Sequence, residues 1–280
     1  MYDVLMITGL IHNLRTDLDP VIISAPTLRS GTTLLQRLLC SAPGCLIFGE
    51  GCVLDLEMLL SIYIAKSMTY SSNQQRFEGV RHRVVEDEDD GWIPDLMPDI
   101  DGYVEALGQG CFSGLEYCRT YAQTRERPKW GFKYPGIQPH ILETMLSAMP
   151  AARLIYIYRD IVDCLRSAKA KQLVVSDAGT ELFCRTWATN LTHARGLSGR
   201  PSVLLINYSE MLAQPELHIR RIEEFSGVDG IRRDILGKKI NSSTDGNADE
   251  YLEPALLTGN EMRIVDGLTS TLRNSLFHVD

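Results

Sequence analysis

The sequence predicts an α/β protein in which helices flank a central, mostly parallel β-sheet. The main observation is an alternation along the chain. Short apolar segments rich in branched and aromatic residues are separated by longer segments whose apolar residues recur at helical spacing. A second observation is that no internal repeat and no low-complexity linker interrupts the 280 residues. Together they favour one continuous domain over residues 1–280, with helices covering both faces of the sheet.

The predicted strands are brief and almost wholly apolar, as expected of strands that are covered on both faces. They are Val21–Ser24, Cys45–Phe48, Trp130–Lys133, Arg153–Tyr158 and Val203–Asn207. The segments between them carry apolar residues three and four positions apart, which predicts helices. The predicted helices are Thr32–Ser41, Ile137–Met149, Ile161–Lys171, Thr180–Arg195 and Glu216–Phe225.

The charge balance argues against one class of partner. The chain carries 36 acidic and 28 basic side chains, a formal net charge of −8, whereas a nucleic-acid binder needs clustered positive charge. We therefore expect no nucleic-acid partner.

No apolar stretch reaches the roughly 20 residues of a membrane span. Residues 1–10 lack the basic start of a signal peptide, so we expect no membrane span and a cytoplasmic location.

No residue cluster predicts a metal site. The acidic run Glu86–Asp90 lies beside glycine and proline residues and has no periodicity, so we interpret it as a solvated loop. A metal site there is the alternative. The histidines are scattered without a His-x-x-x-His pair. The cysteines contain no Cys-x-x-Cys pair, so packed, reduced thiols are expected.

The most informative segment is the loop between the first predicted strand and the first predicted helix. Ser30, Gly31, Thr32 and Thr33 stand where the helix begins, so free backbone N–H groups and hydroxyls converge at one point. Such an arrangement binds anions, and phosphates in particular. The alternative is a helix start that Ser30 caps and that binds nothing.

The loop partly matches the nucleotide P-loop pattern G-x-x-x-x-G-K-[ST]. Gly31 and Thr33 fit the second glycine and the hydroxyl residue, whereas Pro26 replaces the first glycine and Thr32 replaces the lysine. A grip on the γ-phosphate of ATP therefore lacks its usual cation, which Arg29 could supply from the other side of the turn. A P-loop kinase that acts on a small alcohol stays an alternative.

The segment Leu28–Thr33 resembles the phosphosulfate-binding loop of the PAPS-dependent sulfotransferases, which runs Pro-Lys/Arg-Ser-Gly-Thr-Thr. PAPS, 3′-phosphoadenosine 5′-phosphosulfate, is the sulfuryl donor of that family. The resemblance implies a P-loop-like sulfotransferase fold and a loop that binds this donor. The donor-binding residues would be Arg29, Ser30, Gly31, Thr32 and Thr33. Leu28 replaces the proline, which loosens the start of the loop without removing a ligand group.

Glu50 follows the second predicted strand, at the carboxyl edge of the expected sheet. Sulfuryl transfer to an alcohol needs a base that takes the hydroxyl proton as the new O–S bond forms, and a partly buried carboxylate suits that role. This chain resembles the tyrosylprotein-like and glycan-type branches of the family, which have a glutamate there. The resemblance implies that Glu50 is the catalytic base. The alternative is that Glu50 only caps a helix that starts near Cys52.

Lys133 ends the third predicted strand and is followed by Tyr134 and Pro135. A lysine at a strand end that faces a phosphosulfate can neutralise the charge that develops on the bridging oxygen as its bond to sulfur breaks. The segment resembles the Lys-Thr-Pro or Lys-Asp-Pro element of the tyrosylprotein-like branch, with Tyr134 in the middle position. The resemblance implies a catalytic role for Lys133, and a solvated lysine is the alternative.

The fourth predicted strand ends beside Arg159 and Asp160. Asp160 is placed to cap the following helix, Asp163 lies in its first turn, and Ser167 follows two turns later. An arginine with a serine eight positions later is similar to the 3′-phosphate element of the sulfotransferases. The resemblance implies that Arg159 and Ser167 bind that phosphate, which selects PAPS over ATP. The alternative is a Walker-B aspartate, Asp160, that holds magnesium.

The resemblance weakens beyond this point and covers roughly residues 20–228. Tyr208 is expected to lie near the adenine of the donor, with an ordinary core aromatic residue as the alternative. Many relatives carry a basic residue in a C-terminal loop over the nucleotide. Here no Lys or Arg occurs between Lys239 and Arg263, so either Lys238 or Lys239 substitutes or the contact is missing.

The resemblance implies an enzyme that moves the sulfuryl group of PAPS to a hydroxyl of a small-molecule, natural-product or peptide acceptor. The transfer would be an in-line displacement that needs no metal. The acceptor side is expected in a helical or loop insertion at about 53–127, with a C-terminal lid at about 230–280. The acceptor has no readable signature, and a homodimer is one option. Besides the kinase, a nucleotide-binding module that has lost turnover stays an alternative.

Overall fold

The structure is a computed structural model and describes residues 14–86, 91–237 and 253–277. Its strands agree with the predicted ones, except that the third begins one residue earlier. The strands are β1 (Val21–Ser24), β2 (Cys45–Phe48), β3 (Lys129–Lys133), β4 (Arg153–Tyr158) and β5 (Val203–Asn207).

The helices of the described residues include the five predicted ones, with ends that differ by at most three residues. A short 3₁₀ helix covers Arg233–Gly237. The α-helices are α1 (Thr32–Ser41), α2 (Gly51–Ser72), α3 (Gln74–Val85), α4 (Ile100–Gly110), α5 (Ser113–Thr124), α6 (Pro139–Ala148), α7 (Ile161–Ala170), α8 (Asp177–Gly196), α9 (Tyr208–Ala213), α10 (Pro215–Ser226) and α11 (Gly259–Phe277).

The five strands form one parallel sheet in the order β2-β3-β1-β4-β5. The central strand, β1, pairs with β3 and β4, so that Ile22 lies beside Phe132 on one side and Leu154 on the other. Because every pair is parallel, the carboxyl ends of all five strands lie at the same edge of the sheet. The predicted α/β class with a central parallel sheet is confirmed.

The core forms where helices cover the sheet. All four residues of β1 are buried, as expected of a central strand with both faces covered. On one face, Leu35 and Leu38 of α1 pack in a cluster with Ile23 of β1 and Ile155 of β4. The helical spacing of the leucines therefore places one side of α1 against the sheet.

Contacts among the described residues group the chain into two compact units. One comprises residues 19–50, 118–139 and 151 onward and contains the whole sheet. The other comprises residues 14–18, 51–117 and 140–150 and is helical. The predicted insertion at about 53–127 coincides with helices α2 to α5. A single domain over residues 1–280, an acceptor-side role for the insertion and a lid at about 230–280 stay predictions.

Several residues considered above lie outside the described part of the chain. They are residues 1–10, residues 87–90 of the acidic run, and the two lysines Lys238 and Lys239. Among the helices of the described ranges, none has both the length and the apolar character needed to cross a membrane.

Gly131 lies in the middle of β3, directly against the backbone of β1. A Cβ atom added to Gly131 would lie 1.9 Å from the carbonyl oxygen and 2.7 Å from the carbonyl carbon of Val21. Backbone atoms cannot rotate away as a side chain can, so any residue larger than glycine forces β1 and β3 apart.

We expect Gly131→Ala to lower the free energy of unfolding by about 3 kcal/mol, near the upper end of the usual cost of overpacking. Equilibrium unfolding in urea measures this change. Gly196→Ala in α8 is a matched control, because an added Cβ there meets no atom of the described residues within 4 Å. The control should not lower stability, because replacing glycine by alanine at an exposed helical position stabilises by up to about 1 kcal/mol. Equal stability of the two variants would contradict the prediction.

Candidate active site

Candidate residues follow the carboxyl ends of all five strands. The loop after β1 contains Arg29, Glu50 lies two residues beyond β2, and Lys133 is the last residue of β3. Arg159 follows β4 directly, and Tyr208 follows β5 directly. Since neighbouring strands are about 4.8 Å apart, the five strand ends span about 20 Å. The parallel sheet therefore brings residues from distant parts of the sequence to one edge.

The loop after β1 leaves backbone amides available for an anion. Helix α1 begins at Thr32, and Leu34 N and Leu35 N donate its first hydrogen bonds to Gly31 O, at 3.0 and 3.2 Å. Within the described residues, no backbone hydrogen bond uses the amides of residues 30–33. These amides lie at the start of the helix, where the helix dipole favours negative charge.

Ser30 does not cap α1. The N-cap residue is Gly31, which has no side chain to cap the helix, and Ser30 Oγ instead donates to Thr27 O at 2.9 Å. The interpretation of the loop as a helix start capped by Ser30 is therefore wrong. Ser30 is fully buried and stabilises the turn of the loop, while Thr32 and Thr33 lie in the first turn of the helix.

Gly31 is required by both its conformation and its surroundings. Its φ of 105° lies in the left-handed region that L side chains rarely adopt. A Cβ atom at this position would also lie 2.5 Å from Cδ2 of Tyr208. The loop and the Tyr208 ring are therefore in direct contact, which only glycine permits.

Arg29 connects the loop to helix α7. It adopts a left-handed conformation, with φ 69°, which costs a non-glycine residue about 1–2 kcal/mol. Its Nε donates to Ser167 Oγ at 3.0 Å. The structure thus brings together two of the predicted donor-binding residues, and their hydrogen bond helps to hold the strained backbone.

Arg159 is the second cation of this region. Its guanidinium lies 4.8 Å from the centroid of the Tyr208 ring and forms an ion pair with Asp163 at 3.3 Å. Burial, and next the positive charge of Arg159, lower the pKa of Arg29. Two arginines that repel each other beside free backbone amides form a site that favours a multiply charged anion.

Hydrogen bonds from other elements fix Asp160 and the backbone of Arg159. Asp160 caps α7 as predicted, since Oδ1 accepts a hydrogen bond from Val162 N at 2.8 Å. Its Oδ2 accepts a hydrogen bond from Arg273 Nε at 3.0 Å. Both oxygens are thus engaged as in a helix cap, which does not favour the Walker-B alternative. The carbonyl of Arg159 accepts a hydrogen bond from Trp187 Nε1 at 3.1 Å.

Glu50 and Lys133 form a separate pair on the other side of the loop. Lys133 Nζ donates to Glu50 Oε1 at 2.5 Å. The lysine side chain is 10% exposed and the glutamate side chain 37% exposed. The pair therefore combines a buried cation with a carboxylate that a solute can reach, which suits charge neutralisation and proton acceptance at one place.

Three further residues of this edge were not predicted. Asn190 Nδ2 donates to Pro26 O at 2.9 Å and so fixes the loop. Cys164 Sγ lies 3.5 Å from Ser30 Oγ, and burial raises the pKa of its thiol to about 12, so it stays neutral. Arg273 contacts Asp160. Asn190 is a polar residue on the buried side of α8, a pattern that could have indicated a structural hydrogen bond.

Metal ligands are not clustered in the part of the chain that the structure describes. No group of three or more His, Cys, Asp or Glu side chains there is arranged to hold a metal ion.

Comparison with solved structures places the fold among sulfotransferases. A mouse sulfotransferase complexed with PAP aligns over 96% of this chain and 90% of its own, with 14% identity and a TM-score of 0.50. The sulfotransferase domain of the Synechococcus PCC 7002 olefin synthase aligns over 90% of this chain and 97% of its own, with 17% identity and a TM-score of 0.49. At 14% identity, the likeness to the mouse structure concerns the fold alone. A search of curated proteins found no significant match.

A comparison with protein families is more specific than the structural likeness. Residues 20–232 match the Sulfotransferase family. This range begins just before β1, ends beyond α10 and contains every candidate residue at the carboxyl edge of the sheet, from Arg29 to Tyr208. Because the match covers most of the chain and includes its candidate site, this protein belongs to the Sulfotransferase family.

Proposed function

We propose that this protein transfers the sulfuryl group of PAPS to the hydroxyl of a small-molecule, natural-product or peptide acceptor. The proposal rests on a single observation. Two groups of charged residues lie at the same edge of the sheet. One group contains the Arg29–Ser167 and Arg159–Tyr208 contacts, on one side of the loop after β1. The other group is the Glu50–Lys133 pair, on the other side of that loop. The first group suits a polyanionic donor, and the second suits proton and charge transfer.

The donor would be held by the loop and the arginines. Backbone amides of residues 30–33 and the hydroxyls of Thr32 and Thr33 would meet the 5′ phosphosulfate. Arg29, Arg159 and Ser167 would meet the phosphates, with Arg159 and Ser167 assigned to the 3′-phosphate. The Tyr208 ring packs on the loop at Gly31, which supports its assignment beside the adenine.

The reaction would be an in-line displacement at sulfur. The acceptor oxygen forms a bond to sulfur while the bond from sulfur to the 5′-phosphate oxygen breaks, and the electron pair leaves on that phosphate. Glu50 would take the acceptor proton, and Lys133 with the loop amides would meet the charge on the leaving phosphate. The leaving product is PAP, adenosine 3′,5′-bisphosphate, and no protein-bound metal is required in this scheme.

The glutamate supports placement in the tyrosylprotein-like branch, including bacterial members that use a glutamate base. Glu50 lies within hydrogen-bonding distance of Lys133, so the proposed base and a cation lie side by side at the ends of β2 and β3. The role of helices α2 to α5 as the acceptor wall belongs to the same proposal.

Two other functions make different predictions for ligand binding. A kinase acting on a small alcohol would bind ATP with magnesium, although Thr32 occupies the position of the usual P-loop lysine. A module without turnover would bind PAP and transfer no sulfate.

Thermal unfolding with PAP or with Mg-ATP separates the donors. At a concentration of about 100 times its Kd, PAP should raise the free energy of unfolding by about 2.7 kcal/mol. We expect Mg-ATP at the same concentration to stabilise less, because it lacks a 3′-phosphate for the arginines. Stabilisation by Mg-ATP alone would favour the kinase. Sulfate transfer from labelled PAPS to a panel of phenols, alcohols and peptides then distinguishes an enzyme from an inert module.

Glu50→Gln tests the base. The substitution keeps size and hydrogen bonding but removes proton acceptance, so turnover should fall by about 10²- to 10⁴-fold. The Kd for PAP should stay nearly unchanged. Glu224→Gln is the control, since Glu224 is exposed on α10, and it should leave both quantities unchanged. Turnover of the Glu50 variant close to that of the unmodified enzyme would remove Glu50 from the mechanism.

Arg159→Gln tests the assignment of the 3′-phosphate. Calorimetric titration with PAP and with adenosine 5′-monophosphate, which lacks that phosphate, gives two affinities for each variant. We expect PAP binding to weaken by about 10- to 100-fold, because hydrogen bonds to charged groups contribute about 1.5–3 kcal/mol, while monophosphate binding changes little.

Arg185→Gln is the matched control for this test. Arg185 forms the same kind of ion pair, with Glu181 one turn earlier on α8, but is 61% exposed. It should bind both nucleotides as the unmodified protein does. Equal loss of affinity for both nucleotides in the Arg159 variant would contradict the assignment.

A further inference from the structure

Asp160 places a negative charge directly after the arginine that we assign to the 3′-phosphate. Its side chain is fixed at the start of α7, because Oδ1 accepts a hydrogen bond from Val162 N at 2.8 Å. A carboxylate this near to a phosphate site opposes phosphate binding unless another group balances its charge. The chain therefore needs a cation at Asp160 that does not itself compete for the nucleotide.

Arg273 of helix α11 is placed to balance this charge. Its Nε donates to Asp160 Oδ2 at 3.0 Å, and the two side chains are only 12% and 19% exposed. Partly buried pairs are weakly screened by salt, so the charge of Arg273 still balances that of Asp160 at physiological ionic strength. Arg273 also contacts Asp266 at 3.3 Å, but that carboxylate is 59% exposed and well solvated.

Phe277 adds a second contact from the same helix. It lies one turn beyond Arg273, and its ring is 5.8 Å from Tyr158 and 6.4 Å from Trp187, centroid to centroid. Trp187 in turn donates a hydrogen bond to the carbonyl of Arg159 at 3.1 Å. Helix α11 therefore contacts the residues on both sides of Arg159.

We infer that Arg273 is a positioning residue for nucleotide binding. It neutralises Asp160 beside the phosphate site and, together with Phe277, holds the backbone that presents Arg159. This inference rests on the proposed function, because it takes Arg159 to bind the 3′-phosphate of PAP. It assigns to helix α11 a part in donor selection that acts through Asp160 and the backbone of Arg159.

The first test measures affinities of Arg273→Gln for PAP and for adenosine 5′-monophosphate. We expect PAP to bind about 10-fold more weakly and the monophosphate to change by less than about twofold, because the unbalanced Asp160 repels only the 3′-phosphate strongly. Turnover at saturating PAPS should stay within about twofold, so the effect falls on the KM for PAPS and not on kcat.

The second test asks whether the effect is one of charge. Asparagine caps helices as well as aspartate does but carries no charge. Adding Asp160→Asn to the Arg273→Gln variant should therefore return the PAP affinity to within about threefold of the unmodified protein. If Arg273 only stabilised the fold, removing its partner as well would not restore binding.

Lys169→Gln is the matched control. Lys169 near the end of α7 pairs with Glu261 of α11 at 2.7 Å, and Glu261 is 8% exposed. The hydrogen bond from Lys169 lowers the pKa of Glu261, as expected of a strong pair. The variant also breaks a contact between α7 and α11, but at the end of α7 and not at its start. It should lower the melting temperature and leave the ratio of PAP to monophosphate affinity unchanged.

Three outcomes would overturn the inference. In the first, Arg273→Gln folds but the ratio of PAP to monophosphate affinity is unchanged. In the second, adding Asp160→Asn does not restore PAP affinity. In the third, Lys169→Gln changes the affinity ratio as much as Arg273→Gln does. Should Arg273→Gln fail to fold, Phe277→Leu serves instead and must lower PAP affinity selectively. An unmodified protein that binds both nucleotides equally would refute the proposed function. A preference for PAP that is undiminished in both the Arg273 and the Phe277 variants would refute only this inference.

Discussion

Two like-charged side chains, Arg29 and Arg159, have to lie close together at the carboxyl edge of the sheet, and much of the surrounding structure holds them there. The burial of Arg29, and next the charge of Arg159, lower the pKa of Arg29, so the charged form of Arg29 lies in an unfavourable environment. A hydrogen bond to Ser167 and the face of the Tyr208 ring offset part of this cost. A bound polyanion would relieve the repulsion. In the proposed function, the folded chain already bears part of the cost of organising a phosphate site, which favours tight binding.

The strand order separates two groups of candidate residues along the same edge. The order β2-β3-β1-β4-β5 places the Glu50–Lys133 pair at the ends of β2 and β3 and Arg159 at the end of β4. The loop after β1 lies between them. In the proposed function, the loop would hold the bond that breaks, with proton transfer on one side and nucleotide recognition on the other. This arrangement requires parallel strands, because antiparallel neighbours would place alternate ends at the opposite edge.

The sequence was most informative where local patterns decide the structure. All five strands, the start of α1 at Thr32 and the cap of α7 by Asp160 follow from apolar runs, helical spacing and capping preference. A Ser30 cap, which the same capping preference left open as an alternative, does not form. A serine before a helix usually caps it, but here the left-handed Gly31 takes the N-cap position and Ser30 turns inward to Thr27 O. The close packing of Tyr208 on the loop favours this geometry, and no local preference could indicate it.

The sequence by itself determined the α/β class, the strand positions and, through the resemblance of short motifs, the residues of the candidate site. These features depend on neighbours within a few positions, so they can be interpreted without the fold. Only the tertiary structure decided which of those residues meet. Arg29 and Ser167 are 138 positions apart, and Arg273 lies 113 positions from Asp160. An arginine on a C-terminal helix has no local pattern that marks its partner. Its role depends on how that helix packs, which is set by the burial of side chains from the whole chain.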